Sequence, residues 1–280
     1  MNFFYQRNIV IATMHEKEVV IAPMLEKNYQ MKCAVPTNLN TDLLGTFSGE
    51  RERKDSPIDA ALKKCNLAMD EVGYDLAIAS EGSFGAHPYS FFSRADEEIV
   101  VLLDRKNKIE LVGKALSTDT NFDGREIGSI AEGIEFAKQV HFPSHGLILK
   151  DKKDAHTTIH KGIINPTLYQ DLIESMLASH GKIWVETDMR ALFNPTRLKI
   201  IEQATANLIE KMESHCPACD TPGYWIVDHL EGLPCELCRQ PTKSTLAHIY
   251  GCLHCDFTDK KMFPNQKNIE DPTFCDYCNP

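Results

Sequence analysis

The chain has 280 residues, 42% of them apolar and 25% charged, with a formal net charge of −10. That is enough chain for one sizeable core plus a smaller module, whereas its longest apolar run, Val19 to Leu25, contains Pro23 and falls well short of the ~20 residues of a membrane span. With no membrane segment and no signal-peptide pattern at the start, the expectation is a soluble, cytoplasmic protein.

Asn8 to Ala12 (NIVIA) predicts a buried strand, and the stretch from His15 predicts a helix with Val19, Val20 and Leu25 near one face. Ser56-Pro57 reads as the cap and first position of a helix in which Ala60, Ala61, Lys64, Ala68 and Met69 recur at helical spacing. Leu76 to Ala79 is a short apolar run between turn signals, hence a central strand, and Glu98 to Leu103 with Lys108 to Val112 predicts a hairpin. Further on, the pattern predicts a helix over 129–140, a strand over 145–150, a helix over 166–180 and a strand over 182–186. Asn194-Pro195 then opens the best-marked helix, whose apolar stripe is Leu198, Ile201, Ala204, Leu208 and Met212.

Beyond that helix the composition changes. Eight of the ten cysteines stand in four Cys-x-x-Cys pairs, Cys216/Cys219, Cys235/Cys238, Cys252/Cys255 and Cys275/Cys278. This is the spacing at which a chain presents thiolates to tetrahedral Zn²⁺, so two structural zinc ions are expected as cofactors. Loops of 15, 13 and 19 residues between pairs admit sequential or interleaved pairing, and two consecutive ribbons, 216/219 with 235/238 and 252/255 with 275/278, are the favoured arrangement. Eight thiolates and two Zn²⁺ would take the formal charge from −10 to −14. From Cys216 onward there are nine acids against five bases. Counterion release needs a basic face, so nucleic acid is not the expected partner and protein contact through the ribbons is.

The expected fold class is therefore α/β, with a mixed-sheet N-terminal domain over 1–214, suited to a nucleotide or phosphate ligand, and a C-terminal double zinc ribbon over 215–280. Walker A, GxGxxG and GxSxG motifs are all missing, which argues against a P-loop ATPase, a Rossmann dehydrogenase and an α/β-hydrolase.

Candidate site residues fall where strands hand over to turns. ASEGSFGAHP at 79–88 follows a buried strand, so Glu81 is a candidate catalytic or metal-holding carboxylate, His87 a candidate substrate contact, and Gly82 and Gly85 would let backbone amides approach an anion. The bland alternative is a turn with a solvated glutamate. Asp188, a candidate catalytic carboxylate, and Arg190 and Arg197, candidate substrate contacts, lie between a strand and a helix N-terminus, where arginines match phosphate or carboxylate; they could equally form an Asp188–Arg190 or Asp188–Arg197 pair that holds the helix. Of the histidines at 141, 145, 156 and 160, His145 is kept as a substrate-binding candidate, although neither HExxH nor a carboxylate at motif spacing accompanies them. Cys33 and Cys65 read as buried small hydrophobes.

Taken together, FSGERERKDSP (47–57), ASEGSFGAHP (79–88), TNF (120–122), HGLIL (145–149), ETDMRALFNPTR (186–197) and GLPCELC (232–238) resemble an uncharacterised bacterial family, a domain of unknown function with a cysteine-rich zinc ribbon. A weaker likeness covers residues 8 to about 122. The order of strand, Thr13-x-x-x-Lys17, helix, an acidic loop with Glu50 and Glu52, the Ala61/Lys64 helix, and a strand ending in Glu81-Gly82 is similar to the inosine/xanthosine triphosphate pyrophosphatases. That likeness implies a phosphate ligand in Lys17, Mg²⁺ ligands in Glu50 and Glu81, and a phosphate partner in Lys64; the asparagine of that family's first turn and the aspartate pair before its serine-glycine are not found here. The resulting functional expectation is a Mg²⁺-dependent hydrolase of a nucleotide or other phosphorylated small molecule. The alternative is a non-catalytic adaptor or ligand sensor.

Overall fold

The computed structural model describes residues 3–37, 55–154 and 156–280. The chain divides into two compact units, Asn2–Leu208 and Ile209–Pro280. No helix among the described residues is long and apolar enough to cross a membrane.

The first unit begins with a five-stranded mixed sheet. The apolar run at the start forms β1 (Asn8–Ala12), followed by α1 (Glu18–Tyr29), the short β2 (Lys32–Ala34) and α2 (Pro57–Val72). Ser56 caps α2 by accepting from the Asp59 amide, and Gly73 ends it at φ +71°, a conformation that costs glycine nothing. The chain continues through β3 (Leu76–His87), β4 (Ser90–Asp104) and β5 (Ile109–Ser117). The strand order is β2-β1-β3-β4-β5; β1 runs parallel to both neighbours, and β3, β4 and β5 are antiparallel. Connections leave β1 on both sides, first to β2 and later to β3. This is the point in an open α/β sheet where a crevice forms at the carboxyl ends of the strands.

Residues 80–87 do not form the turn expected after a short strand at 76–79. They extend β3 to twelve residues, because β4 offers a partner at each step from Gly82↔Glu98 to Ala86↔Arg94. Beyond Ala12↔Ala79 the β1 pairing stops, so Ser80, Glu81 and Gly82 have β4 on one side and the end of β1 on the other.

Alternation then divides the side chains between two faces. Ala77, Ala79, Ile99 and Val101 pack with Val10, Ala12 and the Ala61, Cys65, Ala68 and Met69 stripe of α2, and Cys65 is buried as expected. The opposite face carries Ser80 and Gly82 on β3, Glu98 and Val100 on β4, and Gly113 on β5.

A second sheet of four strands follows, with β6 (Gly124–Ile127), β7 (Leu147–Lys150), β8 (Ile159–Ile163) and β9 (Ile183–Thr187) in the order β6-β9-β7-β8. Its ladders are antiparallel. Helices α3 (Ile130–Gln139) and α4 (Pro166–His180) cover it, with Phe136, Ala137, Tyr169, Ile173 and Met176 packed on Leu147, Leu149, Ile163 and Val185. Helix α5 (Pro195–Glu213) begins at the expected Asn194-Pro195. It meets β5 so closely that a Cβ on Gly113 would collide with the Ala204 carbonyl and Leu208.

The second unit contains a three-stranded antiparallel meander, β10 (Trp225–Glu231), β11 (Thr245–Gly251) and β12 (Thr258–Met262). Gly113→Ala is expected to lower the unfolding free energy by about 1–3 kcal/mol, the usual cost of overpacking. Urea denaturation measures it, and an unchanged midpoint would refute the close approach of α5 to β5.

Candidate functional site

Four cysteine Sγ atoms converge at each of two places, Cys216, Cys219, Cys252 and Cys255 at one, and Cys235, Cys238, Cys275 and Cys278 at the other. Cross-knuckle Sγ separations are 3.7 Å for 216–255, 3.6 Å for 219–252, 3.9 Å for 235–278 and 3.6 Å for 238–275. A tetrahedral zinc with Zn–S of ~2.3 Å places its sulfurs about 3.8 Å apart, whereas a disulfide would bring them to ~2.05 Å. The clusters are therefore compatible with two zinc ions, each closed by four thiolates with no position left for water. Amides of the knuckle turns point at the sulfurs: His254 and Cys255 N–H donate to Cys252 Sγ at 3.3 and 3.4 Å. At the matching place in the other site, the Cys238 amide above all, with that of Leu237, holds the Cys235 thiol down at about 7 despite burial.

The pairing is interleaved, not sequential, and the meander is the reason. Trp225 of β10 lies opposite Gly251 of β11, so the knuckle preceding β10 meets the knuckle that follows β11. Glu231 lies opposite Thr245, and Ala247 opposite Met262, so the chain leaving β10 and the chain leaving β12 reach the other end together. There Cys235 bridges Glu270. Adjacent knuckles are thus held roughly 20 Å apart by strands of five to seven residues, and alternate ones share a metal.

In the first unit, buried charges gather where β1 ends beside β3. Lys17, at the head of α1 and 6% exposed, donates to Ser80 Oγ at 2.9 Å and to the Ser80 carbonyl at 3.0 Å. On the α2 side Lys64 Nζ meets Glu81 Oε1 at 2.5 Å. On the α5 side Arg197 and Glu98, both with wholly buried side chains, join through Nε and Oε1 at 2.5 Å. Arg197 also donates to the Met189 carbonyl, and its guanidinium stacks 5.1 Å from the Phe84 ring centre. Gly82 makes room for this pair, since a Cβ there would collide with both the Glu98 carboxylate and the Arg197 guanidinium. It thus forms the floor of an ion pair and not the anion nest that its sequence context suggests.

Asp96 completes the cluster, two residues from Glu98 on the same face and 1% exposed. Burial, with Glu98 alongside, pushes its carboxyl up to about 8. Burial, with Arg197 nearby, pulls the Lys17 ammonium down to about 7. Desolvation disfavours the charged form of either group, which is how one site holds an acid and a base that both exchange protons near neutrality. Asp96, Glu98 and Ser80 are absent from the sequence-based candidates. Their signal is parity: Asp96 and Glu98 alternate in phase with apolar Val100 and Leu102, and so point inward.

The structure brings Lys17, Lys64, Glu81 and Arg197 into one neighbourhood. Glu50 lies outside the described residues. Asp188 is fully buried and saturated: Oδ1 accepts from the Arg190 amide and Nε, and Oδ2 from Gly162 N–H and Arg190 Nη2. Arg190 also stacks on Phe193 at 4.6 Å. His145 is buried in front of β7, its ring nitrogens 3.0 Å from Ser144 Oγ and 2.9 Å from Thr196 Oγ1; burial first, and His141 beside it, lower its pKa. His87 stands near the β3–β4 tip, accepting from the Tyr89 amide some 20 Å along the strand from Glu81. Apart from the two four-cysteine groups, no cluster of three or more His, Cys, Asp or Glu ligands forms among the described residues.

These features define a mixed α/β protein carrying an interleaved pair of four-cysteine metal sites. The chain belongs to the family described as a domain of unknown function, DUF6671, whose profile matches residues 64–280. The expected membership of an uncharacterised family is thereby borne out; the matched span takes in Lys64, Glu81, Asp96, Glu98, Arg197 and all eight knuckle cysteines, while Lys17 precedes it. A search of curated proteins finds no match.

Serine in place of Cys235, Cys238, Cys275 and Cys278 together is expected to reduce bound zinc from two ions per chain to one by elemental analysis, whereas sequential pairing would leave none. Stability against pH carries a second signature. A raised carboxyl pKa contributes stability that is lost as pH rises from ~4 to about 8, and a lowered lysine pKa contributes stability gained as pH rises from about 7 towards ~10.4. Asp96→Asn should flatten the first slope and Lys17→Met the second in urea denaturation series; slopes equal to wild type would refute the assignment.

Proposed function

We propose that the first unit is a Mg²⁺-dependent hydrolase of a nucleotide or other phosphorylated small molecule, and that the zinc module is structural. The observation that carries this reading is the gathering of three cationic and three acidic side chains where β1 ends beside the middle of β3. Burying ionisable groups is costly, and a structural core gains little from gathering six of them. Such perturbed groups at a topological switch point mark functional sites. In this reading Lys17 and Arg197 neutralise phosphate, Lys64 orients Glu81, and Glu81 activates the attacking water. Mg²⁺ would neutralise the leaving phosphate. Arg190 and Asp188 fix the loop before α5, and His145 holds that helix start through Thr196. Exposure along β3 begins at Ser83 and Phe84, which gives the direction of ligand approach. Thiols free of disulfides support a reducing, cytoplasmic setting.

A second reading, an adaptor that contacts protein through its zinc module, is favoured by one observation. Leu237, Leu253, Phe274 and Tyr277, which lie within or beside the knuckles, are 65–73% exposed. The nine acids and five bases of this segment support a protein partner over nucleic acid.

The deciding experiment is pyrophosphate and phosphate release from a panel of canonical and damaged nucleoside triphosphates with Mg²⁺ or Mn²⁺. Wild type should turn over at least one of them, and Glu81→Gln should lower kcat by about 10²–10⁴. A folded, zinc-loaded wild type that releases neither product from any nucleotide would sink the hydrolase and favour the adaptor.

A further inference from the structure

The cluster contains carboxylate oxygens that the chain itself does not satisfy. Neither Asp96 oxygen has a hydrogen-bond partner, and neither does Glu98 Oε2, although Asp96 is 1% exposed and Glu98 fully buried. Glu98 Oε1 is taken by Arg197 Nε. Because the two residues are separated by one position on β4, across from Phe84 and Gly82, their carboxylates lie side by side on one face. The remaining charges around them are committed: Glu81 to Lys64, Glu98 to Arg197, and Lys17 to Ser80. Three buried carboxyl oxygens, two on Asp96 and one on Glu98, are thus left facing each other with no donor of the chain paired to them. Two adjacent acids in that condition accommodate either a shared proton or a metal cation.

We propose that Asp96 and Glu98 form the protein half of a divalent-cation site for Mg²⁺ or Mn²⁺, its remaining coordination supplied by water and a phosphate oxygen of the ligand. The inference rests on the phosphorylated-ligand reading above and adds to it the metal-holding residues, neither of which is Glu81 or Glu50. Mg²⁺ is held through one or two carboxylates plus phosphate and not by an all-protein cage, which matches a pair of acids flanked by Lys17 and Arg197. A hard oxygen-seeking cation also leaves the thiolate sites to zinc.

The test is Mn²⁺ binding to the full-length, zinc-loaded protein, followed by loss of the free-ion paramagnetic resonance signal, with Mn²⁺ alone and with inorganic phosphate present. One tight site per chain is expected in at least one arm, weakened tenfold or more by Asp96→Asn, which keeps the side-chain shape and leaves the Glu98–Arg197 pair intact. Circular dichroism confirms that the variant folds. No Mn²⁺ binding in either arm, or binding that Asp96→Asn leaves unchanged, overturns the proposal and leaves the pair as a proton-sharing dyad. The two readings fail separately. Asp96-dependent Mn²⁺ binding without nucleotide turnover keeps the site and dismisses the hydrolase; turnover indifferent to Asp96→Asn does the reverse.

Discussion

The buried contact between Arg197 and Glu98 is the constraint on which the first unit turns. One guanidinium reaches from the first turn of α5 to the β4 carboxylate and to the Met189 carbonyl beyond β9, while its plane lies on Phe84. It is the crosspiece between the five-stranded and four-stranded sheets. Guanidinium suits this position because it is planar, always charged and more weakly hydrated than an ammonium. Even so, removing two charges from water is repaid only with close geometry and further hydrogen bonds. Gly82 and the Asn194 cap, whose side chain accepts from the Arg197 amide, supply the room and the alignment.

Once that pair is in place, the chemistry around it follows. A low-dielectric pocket holding a fixed Arg197 and Glu98 penalises each further charge, which moves Lys17 downward and Asp96 upward. The fold thereby places a weak base and a weak acid against the end of β1 without help from solvent. In the Asp188–Arg190 pair the opposite holds: every acceptor position is filled, so it fastens a loop and keeps little capacity for reaction.

Much of the architecture was legible because it is written in local signals. The NIVIA strand, the Ser56-Pro57 and Asn194-Pro195 helix starts and the apolar runs before and after α4 each specify their element through capping or periodicity. What escaped was the structure that depends on partners. Strands β2 and β6 have three and four residues and no periodicity to read. The length of β3 is set by β4, so its glycines and serines looked like a turn. The eight thiolates were plain from their spacing, but their grouping depends on strands of the meander that no apolar alternation announces. Likewise the candidate lysines and Arg197 were visible as polar residues near strand ends, whereas Asp96 and Glu98 become noticeable only when the register shows which face they share.

The interleaved pairing has a consequence for how the second unit comes into being on the ribosome. Cys235 and Cys238 are synthesised before Cys252 and Cys255, yet the site that closes first is the one completed by Cys255. The earlier knuckle must wait as an open pair of thiols until Cys278 is made, which falls about 1–5 s after Cys255 at ordinary elongation rates. During that interval the nascent chain holds one finished metal site beside one half-built chelate, a state in which oxidation or capture of the wrong ion competes with completion. Sequential ribbons would pass through that state as well, with Cys252 and Cys255 as the open pair; what interleaving adds is the stretch before Cys252, when Cys216/Cys219 and Cys235/Cys238 are both open and free to share one ion in the wrong pairing.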